Sequence, residues 1–180
     1  LINNGSDFKV LKNKKQNKEG VMLICITGVD GCGKGTQIYL LKEALKRLGH
    51  SVSISKAYGD AEKESLAHFF RLWDDLAITM AFQALHRQQY VNAMSALKKG
   101  NIVIADRWDE SYLAYHTQFG YLATHPVLRK KLNEMAFEGY LPDLGFLLNV
   151  SVEVTEKRMT ARGKDFFDEK DTEYHCKMGK

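Results

Sequence analysis

Proline is nearly absent from this 180-residue chain, which holds only two, and cysteine occurs three times. So few prolines exclude Pro-rich linkers and leave long stretches free to form regular structure. Cys25, Cys32 and Cys176 show neither an even pairing nor metal-ligand spacing, which excludes a disulfide scaffold and a zinc module. They fit a reducing compartment, so the expected location is cytoplasmic. No apolar run approaches the ~20 residues of a membrane span, and the first residues lack the apolar core of a secretory signal. No membrane partner is expected. An Asn-Lys-x-Asp segment is also missing, which removes the guanine-reading motif of a GTPase.

Charge of one sign is scarce outside the first twenty residues. The net charge is +4, and Lys9, Lys12, Lys14, Lys15 and Lys18 against Asp7 and Glu19 put +3 of it there. Residues 1–21 therefore read as a basic, flexible leader, solvated and without a core. It has no aromatic interleaving and no motif for nucleic acid, so no nucleic-acid partner is expected. Met22 stands just before the first strand pattern and reads as a natural start, with 22–180 as one domain. At 44% hydrophobic and 27% charged residues, that length can bury a core without disulfides.

Within the domain, short apolar runs alternate with helical periodicity. "VMLICIT", "HSVSIS", "NIVIAD" and "DLGFLLNV" read as four strands, and the continuous apolar ones suit a sheet buried on both faces. Helices are expected over Thr36–Leu48, Asp60–Trp73, Asp74–Lys99, Asp109–Gln118, Pro126–Phe137 and Glu153–Thr160, with Gly49 and Gly100 as stops. The alternation predicts a three-layer α/β fold with a parallel sheet of four strands flanked by helices.

"GVDGCGKGTQ", Gly28 to Gln37, lies after the first strand and before the first helix. Glycines at that junction let backbone N–H groups converge on an anion, and the helix start adds partial positive charge. Gly28, Gly31, Gly33, Lys34, Gly35 and Thr36 are the candidate nucleotide-binding residues, Lys34 as the cation for β- and γ-phosphates. The hydroxyl expected directly after Lys34 comes one place late, at Thr36. Asp30 inside the loop would repel phosphate unless a magnesium ion or an acceptor hydroxyl lies between. Asp106 and Arg107 close the third strand, at the sheet edge where ligands sit. There Asp106 can orient magnesium through water and Arg107 can fork onto an acceptor phosphate.

Together "GVDGCGKGTQ", "ADRWDESYLAYH" and "LPDLGFLLNVSVEVTEKRMTARGK" resemble the thymidylate kinase branch of the P-loop nucleoside monophosphate kinases, from Met22 to about Lys177. The resemblance implies phosphoryl transfer from ATP to dTMP with Mg2+, giving dTDP on the way to dTTP, by a homodimer. It implies Lys34, Asp30, Arg107 and Arg162 as catalytic residues, and Thr36 and Asp106 as indirect, water-mediated metal contacts. Asp30, Arg87, Arg107, Ser111, Tyr112 and Tyr115 would bind the acceptor, with Arg87 reading the base edge and Tyr115 against the sugar. Arg158, Arg162 and Lys164 resemble lid cations, with the lid at about 161–171.

Several positions depart from the family. Gln83 stands where a phenylalanine usually stacks on the base, with Phe82 beside it and about 100° away around the helix. Lys56, Tyr58 and Gly59 loosely replace an "REPG"-like loop, and Phe166 or Phe167 stands where another arginine is common. The family also continues with a further strand and helix, so a truncated C-terminus and a missing fifth strand are expected. These departures keep two alternatives open: a kinase for UMP or dUMP, or a degenerate nucleotide binder.

Overall fold

The computed structural model describes residues 7–12 and 20–162, with side chains from residue 20 onward except at 60, 61, 70 and 162. The apolar run after Met22 forms β2 (Leu23–Gly28), and α1 (Lys34–Arg47) follows the glycine loop. β3 (Val52–Lys56), α2 (Asp60–Phe70), α3 (Asp75–Lys98), β4 (Ile102–Asp106), α4 (Asp109–Gln118), α5 (Pro126–Phe137), β5 (Leu144–Asn149) and α6 (Val152–Arg162) complete the domain. Two of the expected helices, over 109–118 and 126–137, have these bounds. α3 begins where its sequence says it should, because the Asp74 carboxylate accepts the Ala77 N–H at 2.7 Å and satisfies one helix-start donor.

β5, β2, β4 and β3 are mutually parallel in that order, as expected. The sheet nevertheless has five strands, and within the stretch expected as a flexible leader, 1–21, residues 7–12 correct that reading. Asp7–Lys12 forms β1, antiparallel to β5, with Asp7 opposite Asn149 and Lys12 opposite Leu144. The physical reason is the free edge of β5, whose unpaired N–H and C=O groups are a template for any extended segment within reach. "DFKVLK" alternates charged and apolar residues over Asp7–Val10, a strand pattern hidden within a lysine-rich stretch.

The two-residue period of the strands divides the core between the sheet's faces. Leu23, Cys25, Val103 and Ala105 point to one side and pack with Trp108, Tyr112, Leu122 and Phe137. Ile26 and Ile104 point to the other and pack with Cys32, Ile38 and Leu148. Trp108 anchors the first layer: it is fully buried, and its indole N–H donates to the Tyr140 carbonyl at 2.8 Å. Both layers hold the carboxyl ends of β2 and β4 rigidly side by side, with Ile26 in register with Asp106.

Candidate active site

The glycine loop is shaped by close approaches that only glycine permits at two positions. A Cβ at Gly28 would lie 2.7 Å from the Leu148 carbonyl oxygen, and one at Gly31 would lie 2.7 Å from that of Thr155. Both have positive φ, 149° and 77°. Gly35 is different: a Cβ there meets nothing within 4 Å. The late hydroxyl therefore reflects no steric demand, and Thr36 stands exposed at the helix start. The first bond closing α1 runs from Gln37 N–H to the Gly33 carbonyl at 3.1 Å, so the N–H groups ahead of it are left for an anion.

Lys34 folds back over the loop, donating to the carbonyls of Gly28 at 2.9 Å and Val29 at 3.0 Å. Burial pushes its ammonium pKa down, helped by Arg107, while Asp30 works the other way. Asp30 is the shared anion of the site: its Oδ1 accepts from Arg107 Nη2 at 2.8 Å and lies 3.6 Å from Lys34 Nζ. Burial alone would raise the Asp30 pKa, but Arg107 and Lys34 outweigh it and hold the carboxyl below its ordinary value.

Arg107 reaches Asp30 because its backbone turns out of β4 at φ 68°, a conformation that costs a non-glycine residue free energy and often marks a functional site. The strain is held in place by Gln89 of α3, whose Nε2 donates to the Arg107 carbonyl at 2.9 Å. Asp106, next to it, faces Lys56 Nζ at 3.6 Å. Ser111 Oγ and Thr27 Oγ1 are 2.8 Å apart, which ties the start of α4 to the end of β2. Across the loop, Arg158 of α6 donates to the carbonyls of Cys32 at 3.2 Å and Gly31 at 3.4 Å. Of the cations expected in a lid, it is the one that the described residues bring to the phosphate loop. The side chain of Arg162, Lys164 and the lid beyond α6 lie outside the described residues.

The acceptor side needs two corrections. Arg87 does not face the site: its guanidinium pairs with Glu138 at 2.8 Å, donates to the Met135 carbonyl at 3.4 Å and lies 4.9 Å over the Tyr90 ring. Tyr112 is 1% exposed, in the core between α4 and α5, rather than lining a pocket. Helix phase explains the first. At about 100° per residue, 83, 87 and 90 share the stripe against α5, whereas 82, 86 and 89 share the stripe toward Arg107. Gln83 accordingly donates to the Leu132 carbonyl of α5.

Phe82 is the ring on the site side, 6.1 Å from Tyr58 and 6.4 Å from Tyr115 between centroids. His86 follows one turn on, 6.3 Å from Phe82. The i, i+4, i+7 spacing of Phe82, His86 and Gln89 was the signal available in the sequence for these residues.

These residues fit the requirements of phosphoryl transfer to a phosphorylated acceptor: an anion cradle, a donor-side cation and an acceptor-side cation bridged by one carboxylate. Residues 26–180 match the family model described as "Thymidylate kinase". A thymidylate kinase of Caldanaerobacter subterraneus is 31% identical over 161 residues, spanning 86% of this chain and 76% of that protein. One from an Exiguobacterium species is 32% identical over 163 residues, with the same coverage. The crystal structure of thymidylate kinase from Ehrlichia chaffeensis superposes with a TM-score of 0.59 at 28% identity, covering 79% of this chain and 83% of that one. A family match over most of the chain, with relatives above 30% identity along three quarters of their own length, leads to one assignment: this chain belongs to the thymidylate kinase family.

Proposed function

We propose that this chain transfers the γ-phosphoryl group of ATP to the 5′-phosphate of dTMP, giving ADP and dTDP, a step toward dTTP. The observation that carries the reading is Arg107, which stands at the carboxyl end of β4 within 2.8 Å of a carboxylate of the phosphate loop. There its guanidinium fork is placed to meet an acceptor phosphate beside the phosphates held by the loop.

Each residue then has a chemical task. Lys34 exchanges the carbonyls of Gly28 and Val29 for β- and γ-phosphate oxygens. Arg107 exchanges Asp30 for the acceptor phosphate, which it meets with a planar fork. No general base is required, because the attacking atom is a phosphate oxygen already ionised near pH 7, with a second pKa of about 6. Asp30, freed from Arg107, faces the acceptor sugar hydroxyl, and Tyr115 packs against that sugar. Arg158, joined by Arg162 from the lid, supplies positive charge for the transferring group.

The donor set also fits magnesium, since the exposed Thr36 hydroxyl and the Asp106 carboxylate are oxygen groups beside the anion cradle. Held by them through water and by the nucleotide's own phosphate oxygens, the ion would neutralise charge on the transferring group.

A coupled ADP-release assay with ATP, magnesium and each of dTMP, dUMP, UMP, CMP and AMP tests the reading. Turnover should be highest with dTMP and fall by roughly 100-fold or more in Lys34→Ala. ATP binding without acceptor-dependent turnover would identify a degenerate binder instead. If Asp30→Asn and Asp106→Asn both kept full magnesium-dependent turnover, the metal assignment would fail. No described helix is long and apolar enough to cross a membrane, and we place the reaction in the cytoplasm.

A further inference from the structure

The ring cluster beyond Arg107 contains a polar group that the phosphate chemistry does not use. Tyr58, Phe82, His86 and Tyr115 are each packed among other rings yet keep accessible surface. Tyr112 and Phe137 close it from behind, edge-on and tilted at 5.5 Å and 5.6 Å from the His86 ring. Such a cluster of partly exposed rings suits a planar heterocycle, and His86 is the side chain in it with ring nitrogens to offer that heterocycle's edge.

Its hydrogen-bond network assigns which nitrogen does what. Gln89 Nε2 donates to the Arg107 carbonyl at 2.9 Å and the Ser55 carbonyl at 3.4 Å, so the amide is oriented with Oε1 toward the histidine. Oε1 lies 3.5 Å from His86 Nδ1 and can only accept, so Nδ1 carries the proton. Nε2 is then a bare acceptor with no hydrogen-bond partner among the described residues. Burial lowers the imidazole pKa to about 4, with Arg107 adding to the effect against the Gln89 contact, so the ring is neutral near pH 7.

We propose that His86, through Nε2 as acceptor, is the specificity-determining residue for the acceptor base and selects pyrimidines that carry a ring N3–H. This deepens the dTMP kinase reading and rests on it. Thymine and uracil present that donor, whereas cytosine presents a lone pair at the same atom and leaves two acceptors facing each other. His86 therefore separates dTMP from dCMP and does not separate dTMP from dUMP. Arg87, committed to Glu138 on the other side of α3, takes no part.

The test measures kcat/KM and calorimetric affinity for dTMP, dUMP, dCMP and N3-methyl-dTMP in the wild type, His86→Phe, His86→Gln and Arg87→Ala. The wild type should favour dTMP over dCMP and over N3-methyl-dTMP by about 100-fold or more. His86→Phe, which keeps the ring but loses the acceptor, should cut the dTMP to dCMP ratio at least ~10-fold, mainly through KM. His86→Gln, whose amide can turn either edge, should also cut it by admitting dCMP, so either variant that folds gives the answer. Arg87→Ala should keep the wild-type ratio. A ratio unchanged in the folded His86 variants, or one that collapses in Arg87→Ala, overturns the proposal. Tight, His86-dependent dTMP binding without turnover would refute the kinase reading and leave this assignment standing. Brisk turnover with a His86-independent ratio would do the reverse.

Discussion

Asp109, in the first turn of α4, has a pKa raised to about 6 by burial and by the neighbouring Glu110 carboxylate. A folded pKa above the unfolded value means that the folded state prefers the protonated acid. The cost of ionising it is absent below pH ~3.9 and grows until about pH 6. Asp109→Asn should therefore stabilise the protein at pH 7 by about 1–2 kcal/mol, after allowance for its partial exposure, and bring no gain at pH 3.5. Urea unfolding at the two pH values checks this. The glycines give a second contrast at this scale. Gly31→Ala drives a Cβ to 2.7 Å from the Thr155 backbone and should lower Tm and abolish ATP binding. Gly35→Ala has free space and helical backbone, and should raise stability by roughly 0.5–1 kcal/mol in the same thermal-shift assay.

Among the elements, α3 carries most of the interpretive weight. Its residue stripes decide which side chains see Arg107 and which see α5, and a one-residue slip in assigning them exchanges His86 for Arg87. That slip arises in the sequence because an arginine is a more conspicuous candidate than a histidine, while the stripe is set by where the helix docks. The helix start is local and was legible. Asp74→Ala removes the acceptor for the Ala77 N–H and should cost about 1 kcal/mol in equilibrium unfolding. Strand β1 is the opposite case, since nothing within six residues says that β5 will leave an edge beside them.

For the whole molecule, acid should destabilise the protein through its buried imidazoles. His116 is 3% exposed, its Nδ1 has no hydrogen-bond partner among the described residues, and burial lowers its pKa to about 4, with His86 and Arg129 adding to the effect. The folded state holds it neutral while the unfolded chain takes up a proton below pH ~6.5, so stability present above that pH is lost on the way down to about pH 4. By pH 5 the loss reaches about 2 kcal/mol for this residue. His116→Phe should flatten that part of the stability profile. The homodimer that the family resemblance implies is testable at the same scale. Leu72 and Met80 are 68% and 63% exposed near the start of α3, beside a Phe69–Trp73 stack at 4.4 Å. Sedimentation should show a dimer that Met80→Glu weakens.

The sequence by itself determined the strand–loop–helix of the phosphate site, the parallel order of elements and the Asp106–Arg107 pair at a strand end. Each follows from local backbone demands: glycine where the chain must wrap an anion, two-residue and 3.6-residue periods, caps and stops. Only the tertiary structure decided that Asp30 bridges Lys34 and Arg107, that His86 packs in the ring cluster while Arg87 pairs with Glu138, and that residues 7–12 complete the sheet. Those outcomes depend on which faces and edges meet across long stretches of chain. Such contacts come from the packing of whole elements, and no window of neighbouring residues encodes them.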